Sequence, residues 1–172
     1  METLDARSPA PPGDGVAVAA LFQQRYAEMV RLAGLLGADD AEDVAQEAFA
    51  RLLNRHRSLR DADAAIGYVR ATVCNLTRNR RRHLRVARLR APLGAPDEAS
   101  SEQAAILRED HREVLAALAT LPARRREAIV LRYWLELSEA EIAAAMGVSA
   151  GTVKSQVSRG LAALGRALEE RA

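Results

Sequence analysis

Three groups of side chains in this 172-residue chain have types and spacings suited to binding, and none is suited to making or breaking bonds. The first is Thr77–Arg90, TRNRRRHLRVARLR, with seven Arg in fourteen residues. Arg78, Arg81, Arg82 and Arg85 fall at i, i+3, i+4 and i+7, so one helix face can carry all four guanidinium groups. Like charges at that spacing repel by about 0.2–0.5 kcal/mol per pair, and the face gains most when an anion neutralises it. Nucleic-acid phosphate is such an anion, and its geometry matches the guanidinium fork. A solvated surface or an RNA-binding arm fits the same composition. The second group is Thr152, Lys154, Ser155, Ser158 and Arg159, short polar or basic side chains near the start of a helix. That end of a helix is the one that enters the major groove in helix-turn-helix proteins. The third has the opposite character. Asp43, Gln46 and Glu47 share one helix face at i, i+3 and i+4. This acceptor-rich patch cannot face phosphate; on a helix standing alone it would read as a plain solvated face, but in a DNA-binding chain it suggests a protein partner with basic side chains.

The elements that must position these groups all read as helices. Ser138 and Glu141 have capping-box spacing, in which each side chain satisfies a free N–H at the helix start. Ile142, Ala143 and Met146 follow as an apolar stripe, and Gly147 suits a left-handed helix end. Ser149 can cap the next helix. In that helix Val153, Val157, Leu161, Leu164 and Leu168 recur at intervals of three and four and are expected to face inward. Toward the N-terminus the expected apolar faces are Leu21, Phe22, Tyr26, Met29, Val30 and Ala33, then Val44, Ala48, Phe49, Leu52 and Leu53, then Ile66, Val69, Val73 and Leu76. Asp61 or Asp63 can cap the third of these helices. A later helix, about Glu102–Ala119, should bury Ala105, Ile106, Val114, Leu115 and Leu118.

The expected fold is all-α, with two small helical domains joined by a flexible linker. Residues 1–15 read as a disordered tail, 16–85 as the first domain, 86–101 as a Pro/Gly/Ser-rich linker and 102–172 as the second domain. Aromatics make up 3% of the chain, which argues against sheet. Net charge is +2, and 24 of the 25 basic residues are Arg, Lys154 being the exception. Cys74 is the lone cysteine and reads as a small core residue; His56, His83 and His111 are scattered. No catalytic residue, metal ligand set, cofactor or small-molecule substrate is therefore expected. No signal peptide or apolar span is evident, so a cytoplasmic location is expected, without membrane insertion.

Set in order, these segments resemble the sigma-70 family of transcription initiation factors. Asp40–Asn54, DAEDVAQEAFARLLN, resembles region 2.2 of that family. Gly67–Arg82, GYVRATVCNLTRNRRR, looks like regions 2.3 to 2.4, and Leu121–Arg166 is similar to region 4. The two-domain layout is that of the extracytoplasmic-function group, and the Tyr-Val-Arg opening of the third helix looks like its actinobacterial, sigma-E-like branch. The resemblance covers roughly residues 17–168. It implies that Asp43, Gln46 and Glu47 dock on the β′ subunit of core RNA polymerase. It implies that the loop Ser58–Ala64, with Ser58, Asp61 and Asp63, captures a flipped base of the −10 element. Tyr68, Asn75, Arg78, Arg81 and Arg82 would form the −10 recognition and melting surface. Thr152, Lys154, Ser155, Ser158 and Arg159 would read the −35 element. Arg124–Arg126 and Tyr133–Trp134 would lie near upstream DNA or the polymerase β flap, with Trp134 equally suited to the core. The implied partners are core RNA polymerase (β and β′ subunits), promoter DNA and, as a candidate, an anti-sigma factor. Gln156 and Gly160 depart from the family pattern, which often has Arg and Ala there. Two other readings fit parts of the sequence: an operator-binding regulator that never engages polymerase, and a nucleic-acid enzyme.

Overall fold

The computed structural model describes residues 13–55, 57, 59–90 and 111–171, and among them every regular element is helical. Helices α1 (Gly13–Leu35), α2 (Ala41–Arg55) and α3 (Ala62–Arg90) form an N-terminal unit. Helices α4 (Arg112–Thr120), α5 (Ala123–Ile129), α6 (Glu139–Met146) and α7 (Ala150–Glu169) form a C-terminal one, with a single π-helical turn, Val130–Trp134, between α5 and α6. In the first unit Met29, Leu32 and Ala33 of α1 meet Val44, Ala45, Ala48 and Leu52 of α2 and Val69 and Val73 of α3, all fully buried. The apolar cluster continues into the second unit through Ala128, Val130, Leu131, Ile142 and Met146, because α6 lies along α3.

The turns are chemically specified. Helix α1 ends in a Schellman turn, where Ala38 N–H donates to Ala33 O and Gly37 N–H to Gly34 O, both at 2.9 Å. Gly37 sits at φ +94°, and a Cβ there would stand 2.5 Å from Nη1 of Arg126. The capping box of α6 is formed in full, and Gly147 closes that helix in the left-handed region at φ 66°. Ser149 Oγ accepts from Thr152 N–H at the start of α7. For α3 the cap is Asp61, whose Oδ1 accepts from Ala64 N–H at 2.8 Å.

Several expectations need correction. Helix α1 begins at Gly13, inside the expected tail; Gly is tolerated in a first turn, where the N–H groups have no intrahelical acceptor anyway. Helix α3 continues to Arg90, past the expected domain end at 85 and into the expected linker. Its extension is rich in Arg, Ala and Leu, and the first strong breaker is Pro92, which disfavours helix at the residue before it. Residues 91–110 lie outside the described residues, so the rest of the linker, Ala105 and Ile106 are not placed. On α4 the fully buried residue is Ala117, Leu115 and Leu118 are half-buried, and Val114 is exposed. Phe22, Leu53 and Leu161 are also exposed rather than inward.

Gly160 has a packing explanation. Helix α7 crosses α5 so closely that a Cβ at Gly160 would stand 2.8 Å from Cγ1 of Ile129 and 3.3 Å from Arg125 O. Overpacking costs about 1–3 kcal/mol, against about 1 kcal/mol gained in helix propensity. Gly160→Ala is therefore expected to destabilise the chain by about 1 kcal/mol, read as a lower urea midpoint at unchanged m-value. A raised midpoint would mean that Ile129 yields freely.

Candidate nucleic-acid and protein interfaces

The acidic face of α2 divides on inspection. Asp43 lies exposed in the first turn, where its charge also suits the helix dipole. Gln46 is exposed and donates to Tyr26 Oη at 3.4 Å. Glu47 is tied inward, accepting from Arg51 at 2.6 Å and from Arg80 at 2.7 Å. Burial alone would raise the pKa of Glu47, but these two guanidinium groups outweigh it and hold the carboxyl below the usual range. Arg80 also pairs with Asp40, so one guanidinium fastens α3 both to Glu47 and to the residue just before α2. Beside Gln46 lies an aromatic cluster. Phe22 stacks on Tyr26 with centroids 4.6 Å apart and meets Phe49 edge-on at 5.0 Å. Phe22 stays 38% exposed and Leu53, two turns along α2 from Gln46, 53% exposed, so this face offers apolar area next to its acceptors.

The arginine face of α3 is likewise divided. Arg82 and Arg85 are exposed to solvent, as expected of an anion-binding surface. Arg78 and Arg81 instead turn inward. Arg78 Nη2 meets Glu127 Oε1 of α5 at 2.7 Å, and its Nη1 donates to Asn75 Oδ1 at 2.9 Å. Arg81 Nη1 donates to Leu36 O, at the C-terminal end of α1, at 3.0 Å. The four guanidinium groups are thus not presented together, because a buried carboxylate and a helix-end carbonyl compete for two of them. Tyr68 is half-buried with the Arg55 guanidinium 5.8 Å above its ring centroid. Asp63 is exposed in the first turn of α3, and Asp61 is committed to its cap; Ser58 lies outside the described residues.

Helices α6 and α7 form a helix-turn-helix. Lys154, Ser158 and Arg159 are exposed on α7, with Lys154 Nζ 3.8 Å from Glu139 of α6. Thr152 and Ser155 are half-buried: the Thr152 hydroxyl lies 2.9 Å from Ser149 Oγ, and Ser155 Oγ donates to Thr152 O at 2.9 Å. Thr152, Ser155 and Arg159 follow one line along the helix and Lys154 and Ser158 a second. A shallow groove lined by Arg132, Tyr133, Val157 and Leu161 runs beside the second line. The π-helical turn sets its rim. Leu135 N–H reaches back five residues to Val130 O, and Tyr133 and Trp134 emerge at 56% and 38% exposure. Such turns often mark functional positions.

The residues that the sequence reading missed are those between the two units. Arg126 is 4% exposed, not at an outer surface with Arg124 and Arg125. Its guanidinium donates to the carbonyls of Ala119, Leu121 and Leu36, closing α4 and reaching α1. Burial, with Arg81 adding repulsion, pushes its pKa down to about 10, which leaves it charged at neutral pH. Glu127 beside it is equally buried and takes Arg78 and, at 3.4 Å, Arg124. A signal was present: Arg126, Ile129 and Val130 lie at i, i+3 and i+4, so Arg126 falls on an apolar stripe. Arg70 of α3 approaches Glu141 of α6 at 4.0 Å. Cys74 is buried as expected, and burial first, then the charge of Glu127, holds its thiol well above the usual range.

The described residues present exposed Arg and Lys, a helix-turn-helix, and an acidic face bordered by apolar area, all groups suited to binding. Among the described residues no group of His, Cys, Asp and Glu could hold a metal ion, and no helix is long and apolar enough to cross a membrane. Residues 111–164 match the family described as Sigma-70, region 4. The chain is similar to the RNA polymerase sigma-E factor of Streptomyces antibioticus, 37% identical over 134 residues covering 77% of this chain and 72% of that one. It is 33% identical over 161 residues to the ECF RNA polymerase sigma factor SigM of Mycobacterium tuberculosis (strain H37Rv), covering 91% and 79%. Its fold is similar to that of CnrH in complex with the cytosolic domain of CnrY, at TM-score 0.68 and 24% identity, covering 93% of this chain and 92% of that one. The sigma factor RpoE in complex with the anti-sigma factor NepR from Bartonella quintana gives TM-score 0.65 at 22% identity, covering 88% and 96%. Two helical units, a capped helix-turn-helix and these likenesses agree: the chain belongs to the extracytoplasmic-function sigma factors of RNA polymerase, in the branch of the Streptomyces sigma-E factors.

Proposed function

We propose that this sigma factor binds core RNA polymerase, directs it to promoters by reading −35 and −10 elements, and promotes strand opening without being an enzyme itself. The observation that carries the reading is the pairing, in one chain of this family, of the capped α6–α7 helix-turn-helix with the α2 face of exposed Asp43 and Gln46. Helix α7 supplies −35 contacts through Thr152, Lys154, Ser155, Ser158 and Arg159. Helix α3 supplies −10 contacts through Tyr68, Asn75 and Arg82, joined by Arg78 and Arg81 once these release Glu127 and Leu36 O, with Ser58, Asp61 and Asp63 near its start. The polymerase β′ subunit docks on Asp43, Gln46 and the neighbouring apolar area of Phe22 and Leu53, Glu47 serving mainly to hold Arg80. The groove beside Tyr133 suits a second polymerase contact. An anti-sigma factor is a further partner by analogy with the RpoE structure, whose partner is the anti-sigma factor NepR, and the site of action is the cytoplasm. Strand opening would draw on binding energy, since unpairing a base costs a few kcal/mol that a pocket for the flipped base offsets.

Transcription in vitro with core polymerase on a genomic fragment library, with start sites mapped, tests this directly. Recurrent −35 and −10 elements upstream of the starts are expected, and start sites identical to those of core enzyme alone would overturn it. Asp43→Arg is expected to weaken assembly with core polymerase about tenfold or more, equivalent to about 1.4 kcal/mol, with free DNA binding unchanged. Equal loss of both activities would return the patch to a structural role. Lys154→Ala and Arg159→Ala should each cost −35-dependent transcription about 1–3 kcal/mol if the side chain reads a base. Unchanged promoter selectivity in both would remove α7 as the reader.

A further inference from the structure

Helix α7 carries mostly hydroxyls and cations on its outer surface, and one side chain there is of another kind. Thr152, Ser155, Gln156 and Arg159 stand at i, i+3, i+4 and i+7, within an arc of about 100°. Their polar groups are not equally free. The Thr152 hydroxyl lies 2.9 Å from Ser149 Oγ, and Ser155 Oγ donates to Thr152 O at 2.9 Å, so both are engaged with the helix's own start. On the neighbouring line Lys154 stands 3.8 Å from Glu139. Gln156 is half-buried, yet its carboxamide makes no hydrogen bond among the described residues. Its amide N–H groups and its carbonyl are both available, at the seventh residue of α7 and so within the first two turns. Helical side chains lean toward the N-terminus, which carries this amide toward Thr152 and the end of the helix that enters a major groove.

The type of this side chain matters more than its charge. Lys and Arg present donors alone, and a hydroxyl turns to suit either kind of partner. Gln156 is the one carboxamide on α7, and it holds a donor and an acceptor side by side in one plane. Adenine presents the complement in the major groove, with N7 as acceptor beside the N6 amino donor. Against guanine the same carbonyl would face O6 or N7, two acceptors, and a polar group pressed there without a partner is costly. From this we infer that Gln156 is a specificity-determining residue of α7, selecting adenine at one position of the −35 element through a bidentate carboxamide pair. The inference rests on the assignment of α7 as the −35 reader and adds to it the base that is read.

The test uses the full chain with core polymerase on a promoter obtained by start-site mapping, its −35 region randomised and its transcripts sequenced. With the unaltered chain, one −35 position is expected to favour adenine over each other base by about 5- to 150-fold. Gln156→Ala should flatten the preference at that position and leave the others. Gln156→Arg should move the preference there to guanine, whose O6 and N7 accept a guanidinium fork; a preference gained also requires a folded protein. Equal loss on every −35 sequence in Gln156→Ala, with a shallower salt dependence of binding, would make Gln156 a phosphate contact and overturn the inference. An unchanged profile in both variants would overturn it as well. Lys154→Ala and Arg159→Ala on the same library separate the two levels. If they reshape the −35 profile while the Gln156 variants do not, the adenine reading alone falls. If none of the four does, α7 is not the reader and the inference falls with that assignment.

Discussion

A buried guanidinium has to find acceptors, and the placement of Arg126 follows from that requirement. With its side chain inside the protein, Arg126 can remain charged only by donating to backbone carbonyls, and it meets those of Ala119, Leu121 and Leu36. Two of these lie at the end of α4 and the third at the end of α1. One side chain on α5 thus satisfies orphan acceptors at two helix ends and fixes where the C-terminal unit rests on the N-terminal one. The approach needs space at the end of α1, which Gly37 provides by having no side chain and by adopting positive φ. Arg81 arrives at the same carbonyl from α3, so three helices are referred to one point.

Around that point the charges are distributed by reach. Arg80 takes Asp40, just before α2, and Glu47 on it, while Arg78 takes Glu127 on α5. Residues two positions apart on α3 therefore serve different neighbours. Among the charged and polar groups still exposed to an outside ligand are Asn75, Arg82 and Arg85 on α3, Asp43 and Gln46 on α2, and Lys154, Ser158 and Arg159 on α7.

Features that depend on a few adjacent residues were legible in the sequence. The Ser138–Glu141 capping box, the left-handed Gly147 and the Ser149 cap are local chemistry, and each forms as read. Apolar periodicity located Val69, Val73, Ile142 and Val153 correctly, because regular helices preserve phase. Phase was lost on the short helix α4, in the irregular turn after α5, and at the edges of the apolar faces of α1, α2 and α7, where Phe22, Leu53 and Leu161 are exposed. Helix α4 buries Ala117 rather than Val114, and the π-helical turn at Val130–Trp134 has no composition signal that marks it. The arginine face was read as a whole, since spacing reports which side chains share a face but not what lies opposite. Glu127 and Leu36 O are distant in sequence from Arg78 and Arg81, and periodicity within one helix carries no trace of them.

The bare crossing at Gly160 has an evolutionary corollary. Helix α7 takes its position from its own backbone seated against Ile129 and Arg125 on α5, while the side chains proposed to read DNA lie on other faces. Support and readout are held by separate residues of one helix. If α7 reads DNA as proposed, substitutions at Lys154, Ser158 or Arg159 alter which sequence is favoured without tilting the helix that presents them. A lineage duplicating this gene could diversify its set of promoters through a handful of surface codons, with the crossing glycine as the fixed pivot.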